Sequence, residues 1–421
     1  MKRSLKLFVF CFAIAAVTSN YGCSSSTNPP GGDKNNPLPI SSLDKQVETA
    51  NNSFGLTLFG KIASQEEGKN FFISSLSVSM ALAMTLNGAH GQTYTDMQKT
   101  LGLDGFTNDQ INQSYQNLIT FFSNLDPSVK FNIANSIWYR NTFSVLSDFL
   151  AVDSTYFDSE VRPLDFNDPG AAGTINSWVS DKTNGKISSV LQPPIDPSTM
   201  MYLINALYFN GMWKYSFDAA NSNLYPFQLS NGLTESDSMM VLRDTLNYYS
   251  DTSLQVVELP YGDGDYSMLV LLPAANLSLT NAAAEFNQNE MDNITKNLTP
   301  RDVQLTLPKF KVKYETDLVK TLSQMGMGSA FSMNADFTRI NPQGGLSITG
   351  VLHKTYVDVN EKGTEAAAVT VVTVGTTVAG PKPGPIFFAV IRPFMFLIKE
   401  NHDNTIMFMG AIAQPSAAST N

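Results

Sequence analysis

Cysteine and histidine are scarce in this chain of 421 residues, which has two cysteines and three histidines. No Gly-x-Ser-x-Gly, HExxH, CxxC or phosphate-binding GK[ST] pattern is present. The acidic YGDGDY at residues 261–266 lacks the later glutamate of a calcium loop, so we expect a solvated hairpin turn there. The sequence therefore offers no basis for a hydrolase or a metal centre, and we expect neither catalytic residues nor a metal or other cofactor.

Basic residues are also few, since 27 lysines and arginines stand against 37 aspartates and glutamates, for a net charge of −10. An acidic chain argues against nucleic acid or an anionic membrane surface as the main partner. Hydrophobic residues make up 43% of the chain, aromatic ones 11%, and no internal repeat is evident. This composition supports one large folded unit with a full core.

The N-terminus has the composition of an export signal. Residues 1–6 are basic, and residues 7–17 form an apolar run that is too short to span a membrane. We assign a signal peptide to residues 1–22 and a Ser/Asn/Pro/Gly-rich linker to residues 23–41. Cys23, after Gly22 and before serines, resembles a bacterial lipoprotein cleavage site and has no disulfide partner. We expect a lipid-anchored protein of the cell envelope, at the outer membrane or cell surface; the alternative is an ordinary signal peptide and secretion.

The most informative segment is EKGTEAAAVTVVTV, at residues 361–374. Side chains alternate along an extended strand, so Thr364, Ala366, Ala368 and Thr370 share one face, and all are small and uncharged. Gly363 gives the segment a permissive start. Such a strand could enter the middle of a sheet, because its inward face is small and its backbone lacks no donor.

A loop and then a buried hairpin come after this segment. Residues 373–385 are rich in Gly, Pro and Thr, which is typical of an exposed loop. The hydrophobic runs at 387–398 and 405–412 are separated by polar residues, which predicts a hairpin of two buried strands.

An insertable strand, an exposed loop and a core hairpin in this order resemble the serpin family. Further similar segments occur in the family's order at residues 70–103, 175–187, 203–213, 256–273 and 305–318, so the resemblance covers residues 42–415. It implies an α+β fold with a dominant mixed β-sheet, two smaller sheets, about eight or nine helices and an exposed reactive loop. We expect one domain at 42–415, a short tail at 416–421, and a monomer.

The resemblance also implies site residues. It assigns the hinge of the reactive loop to Glu361, Gly363, Thr364, Glu365, Ala366, Ala367 and Ala368. A polar cluster under the centre of the main sheet, where strands part, would comprise Ser74, Ser77, Asn205 and His353, with Trp213 under the point where the loop enters. The family's usual Ser-Pro-x-Ser is Ser-Ser-Leu-Ser here, at residues 74–77.

Family spacing places the attacked bond sixteen residues after Glu361, between Thr377 and Val378, with Thr376 as the alternative. The neighbouring residues are small or β-branched, which favours elastase-like or subtilisin-like serine proteases. The resemblance thus implies a suicide inhibitor that traps such a protease by inserting its loop. The alternatives are a non-inhibitory binding protein of the same fold, and a broader inhibitor that also traps cysteine proteases.

Overall fold

A computed structural model describes residues 40–364 and 384–416, which fall within one compact unit, Leu38–Asn421. The helices of these residues are α1 (Ser42–Gln65), α2 (Ser75–Gly88), α3 (Gly91–Thr100), α4 (Asn108–Asn124), α5 (Ser147–Phe157), α6 (Ala171–Lys182), α7 (Leu279–Glu285), α8 (Gln288–Asn297) and α9 (Val319–Leu322). The strands are β1 (Phe71–Ile73), β2 (Lys130–Arg140), β3 (Ser159–Leu164), β4 (Met201–Met212), β5 (Asn223–Gln228), β6 (Thr234–Ser250), β7 (Leu254–Tyr261), β8 (Tyr266–Pro273), β9 (Thr299–Pro308), β10 (Phe310–Asp317), β11 (Leu352–Asn360), β12 (Gly363–Thr364), β13 (Ile386–Ala389), β14 (Phe394–Glu400) and β15 (Ile406–Ile412).

Local sequence explains where the main helices begin. Ser41 caps α1 in a capping box with Asp44, and Thr107 caps α4 in the same way with Gln110. Ser74 caps α2 by accepting a hydrogen bond from the backbone of Ser77. Nearly every residue of α2 is buried, because this helix lies inside the core and has no solvent-facing side.

One of the two sheets has six strands in the order β10-β11-β12-β4-β2-β3. Strands β2 and β3 are parallel and the other neighbours are antiparallel, so this is a mixed sheet. Helix α6 covers part of its outer face: Ile175, Trp178 and Val179 pack with Trp138 of β2 and Ala206 of β4. The alternate residues of β4, such as Leu207 and Phe209, face the main core.

The second sheet follows the order β1-β15-β14-β8-β7-β6-β9-β13, and β5 pairs with β6. The predicted α+β serpin-like fold is confirmed. Two smaller sheets were expected, but in this structure they form one sheet. The 17-residue strand β6 joins them, because it pairs with β5, β9 and β7 along successive stretches.

The predicted C-terminal hairpin is formed by β14 and β15. The hydrophobic run at 387–398, however, does not form one strand. It divides into β13, which pairs with β9, and β14, which pairs with β15 and β8. Pro393 lies between them, and a residue without an N–H and with a fixed φ commonly ends a strand.

The main core lies between the two sheets. Every residue of β8, β14 and β15 is buried, and Phe72 of β1 stacks on Phe396 and Phe408 with ring centroids 5.5 and 5.1 Å apart. Residues of this core lie directly beneath β4, β12 and β11. The candidate site is located between these strands.

Candidate functional site: a gap in the six-stranded sheet

Strands β4 and β11 are held apart by the short strand β12. Thr364 pairs with Gly211 of β4 on one side and with Val359 of β11 on the other, and Gly363 pairs with Met212 and Asn360. Below Thr364, no described strand lies between β4 and β11. A narrow cavity at this level is lined by Leu207 and Phe209 of β4, by Thr355 and Val357 of β11, and by Phe72, Ile398 and Phe408 of the core.

Gly363 allows the chain to turn into this gap. Its φ of +151° belongs to a backbone region that side chains rarely adopt. A Cβ at this position would also overlap the carbonyl oxygen of Gly211. Glycine is therefore required where the segment enters the sheet.

The side chain of Thr364 points inward and is buried. Its Oγ1 lies 2.6 Å from the hydroxyl of Tyr261, whose ring stacks on Trp213 with centroids 4.4 Å apart. Burial raises the pKa of Tyr261, so this hydroxyl is a neutral partner. The start of the hinge is thus fixed by a hydroxyl pair under the sheet.

Trp213 fixes the turn that precedes the hinge. Its backbone N–H donates to the carbonyl oxygen of Lys362, and its indole Nε1–H donates to that of Asn360, both at 2.9 Å. This tryptophan therefore lies under the entry point of the segment and holds both sides of the turn.

Glu361 connects the hinge to two other segments of the chain, one just before β5 and one between β9 and β10. Its Oε1 lies 2.6 Å from Nζ of Lys309 and accepts a hydrogen bond of 2.7 Å from Ser222 Oγ. Burial acts to raise the pKa of Glu361, but the hydrogen bonds from Lys309 and Ser222 outweigh it and hold the pKa below its usual value. Glu361 is therefore ionised, and its carboxylate anchors the base of the segment.

Three of the four residues predicted for the polar cluster are in contact. The backbone N–H of Ser74 donates to His353 Nε2 at 3.0 Å, and Ser74 Oγ accepts from the N–H of Ser77 at 3.2 Å and donates to the carbonyl of Met407 at 2.9 Å. Because Nε2 accepts, the imidazole of His353 is neutral with its proton on Nδ1. Burial lowers the pKa of His353 to about 4.

Asn205 lies across the gap from His353, and the described residues show no hydrogen bond between them. Its Nδ2 donates to Asn135 Oδ1 at 2.6 Å, while its own Oδ1 is buried without a partner among the described residues. An unpaired buried amide oxygen costs roughly 1–3 kcal/mol. The inner face of β4 therefore offers an acceptor at the level of His353.

Several predicted site residues lie outside the described part of the chain: Cys23, Glu365, Ala366, Ala367, Ala368, Thr376, Thr377 and Val378. Conversely, the sequence does not predict four of the contacts, those of Tyr261, Lys309, Ser222 and Asn135. Each is brought to the site from a distant part of the chain, and the sequence around Tyr261 indicates only the edge of an acidic turn. Nothing in their local sequence marks them as partners of the hinge.

Residues 40–364 and 384–416 show neither a metal cluster nor a membrane-spanning helix. No three or more of their His, Cys, Asp or Glu side chains form a cluster suited to a metal ion. None of their helices has the length and apolar character needed to cross a membrane.

His353 makes the stability of the fold depend on pH. An unfolded histidine titrates near 6.5, so folding keeps this ring neutral at a cost that grows as pH falls from about 6.5 to about 4. The free energy of unfolding should fall over this window by up to about 3 kcal/mol more in the parent protein than in His353→Gln. Urea unfolding at several pH values measures this difference. The parent and the variant must be compared with each other, because a second group acts in the opposite direction in both. Burial raises the pKa of Glu48 to about 9, so this residue increases the free energy of unfolding as pH falls.

The exposed His90, at the start of α3, provides the matched control. His90→Gln should leave the pH profile close to that of the parent. A profile of His353→Gln that runs parallel to the parent's would contradict the assignment of a buried neutral imidazole.

The chain is thus an α+β protein whose mixed sheet is parted at its centre, with the start of a C-terminal segment paired at one end of the gap. The family model for Serpin (serine protease inhibitor) matches residues 49–415, and the chain belongs to the serpin family. The predicted membership in a family of protease inhibitors rather than enzymes is thereby confirmed.

Relatives with described roles include inhibitors. Intracellular coagulation inhibitor 2 of Tachypleus tridentatus is 34% identical over 376 residues, which cover 88% of this chain and 91% of that protein. Leukocyte elastase inhibitor of Xenopus laevis is 33% identical over 382 residues, covering 88% of this chain and 100% of that protein. Among solved structures, the thermophilic serpin tengpin in its native state matches with a TM-score of 0.80 and 33% identity, covering 91% of this chain and 97% of that one.

Proposed function

We propose that this protein is a suicide inhibitor of serine proteases that accept small or aliphatic side chains, such as elastase-like or subtilisin-like enzymes. The observation that supports this most strongly is the gap below Thr364, into which the segment after the hinge would insert. The inward-facing residues Thr364, Ala366, Ala368 and Thr370 are small and uncharged, which suits the rapid insertion that an inhibitor requires.

The register of β12 predicts which residues would meet in the inserted state. Continued antiparallel pairing would set residue 366 between Phe209 and Val357, and residue 370 between Asn205 and His353. Ala366 and Ala368 would then cover the core aromatic residues, and the hydroxyl of Thr370 would be within reach of the unpaired Oδ1 of Asn205. Both features favour the inserted strand.

The chemistry comes from the protease. Its serine attacks the carbonyl carbon of Thr377, the peptide bond to Val378 breaks, and the acyl-enzyme forms with release of a new amino terminus. Insertion of the freed N-terminal half then competes with hydrolysis of the ester by water. If insertion is faster, the protease remains covalently attached. The intact fold keeps the loop outside a sheet that could accept it as a strand, and it is therefore a kinetically trapped state.

A denaturing gel tests this proposal. The protein would be mixed with elastase, subtilisin, trypsin and a papain-like cysteine protease, and the products examined for a covalent band at the combined mass. A band with elastase or subtilisin is expected. Cleavage of the chain by every protease without any such band would favour the non-inhibitory alternative, and a band with the cysteine protease would favour the broader inhibitor.

Substitution at the attacked bond should change the target. A pocket for small side chains rejects a long basic one, because the side chain does not fit and its charge is left unpaired. Thr377→Arg should therefore slow inhibition of an elastase-like enzyme by at least about a hundredfold and create inhibition of a trypsin-like one. Inhibition rates and mass spectrometry of the released peptide, expected to begin at Val378, measure both effects.

Two results would contradict this assignment. A released peptide beginning at Thr377 would move the bond to Thr376, and one beginning after Pro381 would refute the spacing. Thr373→Arg is a matched control, since it introduces the same side chain outside the attacked bond on the opposite face of the strand from Thr364, and it should not create inhibition of trypsin.

We also propose that Cys23 carries a lipid that tethers the protein to the bacterial cell envelope, with residues 23–41 as the linker. The support is the sequence alone: Gly22 before the cysteine, serines after it, and a preceding apolar run. Cys23→Ser should move the protein from the membrane fraction to the soluble fraction or stop processing of the signal peptide. Cys11→Ser is the control, since that cysteine lies in the apolar run. Unchanged partitioning of Cys23→Ser would favour an ordinary signal peptide.

A further inference from the structure

The outer face of the six-stranded sheet carries a small pocket beside the candidate site. It lies between strands β10 and β11 and the connection from α6 to β4, residues 183–200, and its volume is about 160 Å³. We call it the lysine pocket. The residues that line it include Lys186, Ser188, Ser189, Lys313, Glu315 and Lys354.

The charge of the lysine pocket is opposite to that of the chain. Three lysines and one glutamate line it, for a net charge of +2, whereas the whole chain carries −10. The hydroxyls of Ser188 and Ser189 add hydrogen-bond donors, and Glu315 has the only carboxylate among the residues that line the pocket. A pocket of ammonium and hydroxyl groups has the chemistry to bind an oxyanion.

The strand register brings the lysines close together. Glu315 is paired across the ladder with Lys354, and its Oε2 lies 2.7 Å from Nζ of that lysine, whose side chain is only 9% exposed. Lys313 is the cross-strand neighbour of Tyr356, and Nζ of Lys186 lies 5.0 Å from the centroid of the Tyr356 ring. Two ammonium groups are thus positioned around one ring. Since like charges repel, an anion between them stabilises this arrangement.

The dimensions and the charge of the pocket define the class of ligand. Pockets for drug-sized ligands measure roughly 300–1,000 Å³, so a cavity of about 160 Å³ suits a compact molecule. A ligand charge of −2 matches the lining groups. An extended polyanion is disfavoured, because the acidic chain repels it. Inorganic phosphate and short dicarboxylates meet these conditions.

The lysine pocket adjoins the gap between β4 and β11. Lys186 and Ile187 also line the narrow cavity at the gap, together with Leu207 of β4 and Thr355 of β11. The α6–β4 connection therefore covers the gap from outside, at the level where the register of β12 would set residues 366–368. Because the outward side chains of an inserted strand would need this space, the connection has to move before the strand can enter.

We propose that the lysine pocket binds a compact dianion, such as inorganic phosphate or a short dicarboxylate, and that the bound anion slows insertion. An anion that contacts Lys186 of the connection together with Lys313 and Lys354 of the sheet links the two and holds the connection over the gap. The binding is independent of the proposed function, whereas the effect on insertion rests on it.

Binding is measured on the intact protein without any protease. In isothermal titration calorimetry, phosphate should bind with a dissociation constant of about 1 mM, as expected of a few charge-assisted hydrogen bonds offset by the cost of association. The melting temperature in 10 mM phosphate should exceed that in chloride of equal ionic strength by about 2 °C. Titration with succinate in parallel shows whether the pocket prefers phosphate or a dicarboxylate.

Lys313→Gln tests the location of the anion. It removes one ammonium group from the pocket and should weaken binding at least about tenfold, which corresponds to the loss of one hydrogen bond to a charged group. Lys186→Gln provides the same test from the connection if Lys313→Gln does not fold. Lys311→Gln is the matched control, since Lys311 is the preceding outward-facing lysine of β10 but pairs with Asp358 at 2.8 Å, outside the pocket. It should bind phosphate like the parent.

The effect on insertion is measured with a protease that forms the covalent complex. At 10 mM phosphate only about one molecule in eleven has an empty pocket, so the ratio of cleaved product to covalent complex should rise about tenfold. The same rise is expected for Lys311→Gln, whereas Lys313→Gln should show a rise of about twofold or less.

The outcomes are distinguishable. Absence of binding by both phosphate and succinate overturns the inference alone, and so does equal binding by the parent and Lys313→Gln, which would place the anion elsewhere. A gain in melting temperature that chloride reproduces would be a general salt effect and would overturn it too. Binding without a change in the ratio contradicts the role in insertion. If no protease forms a complex, the proposed function and the effect on insertion fail together, while the binding measurements still decide the site.

Discussion

Cleavage of the reactive loop should raise the melting temperature of this protein by about 10 °C or more. The reason is the gap between β4 and β11, whose facing backbone would gain a strand below Thr364. On the order of ten new ladder hydrogen bonds at about 1 kcal/mol each, together with burial of small apolar side chains, exceed the cost of ordering the strand. For a domain of this size, each kcal/mol corresponds to roughly 1–2 °C.

Calorimetry of intact and nicked protein measures the effect. The nick would be made by a protease that cleaves the loop without being trapped, and the two fragments would be kept together. A nicked sample that melts at or below the intact one contradicts insertion. Nicked Thr364→Arg is the control, since it has the same cut but should not gain the strand.

Thr364→Arg should strongly reduce formation of the covalent complex and turn the protein mainly into a substrate. Thr364 is buried against Tyr261, and an arginine there would place a charge with no acidic partner beside the Trp213 stack. Insertion slows while hydrolysis of the acyl-enzyme does not, so the fraction of encounters that end in trapping should fall at least about tenfold. Ala366→Pro should act in the same direction by removing a backbone donor.

Glu365→Arg is the matched control for this prediction. The alternation of the segment puts residue 365 on the outward face, where a charge already stands, so the complex should persist. Gel densitometry of complex against cleaved product gives the partition for each variant. Complex formation by Thr364→Arg at the parent level would contradict the inward orientation of the hinge.

The sequence predicts the insertable segment and the C-terminal hairpin because their signals, alternation along a strand and a polar separator between hydrophobic runs, concern neighbouring residues. The rest of the architecture is predicted from the order of similar segments along residues 42–415, which resembles that of the serpin family. The local signals also indicate that Gly363 and Thr364 start the segment, and the structure places these two residues in the sheet as β12. The division of β13 from β14 is not predicted although Pro393 is visible, since hydrophobicity alone continues through it.

The hinge contacts could not be obtained in this way. The bond between Tyr261 and Thr364 joins residues 103 positions apart, and Ser222 and Glu361 are 139 apart. Such pairs depend on how the two sheets stack, which no short pattern encodes. The sequence also predicts Asn205 in the polar cluster with His353. In this structure the two residues lie on opposite sides of the gap, and no short sequence pattern encodes that separation.

The measurement that tests the central claim most directly is the mass of the denatured product after mixing with an elastase-like protease. Trapping by insertion predicts one species equal to the protease plus this chain, less the peptide that begins at Val378. A protease whose catalytic serine is replaced by alanine should give no such species, since it cannot form the ester. Recovery of free active protease and two fragments of this chain, with no combined species for any member of the panel, would contradict the account.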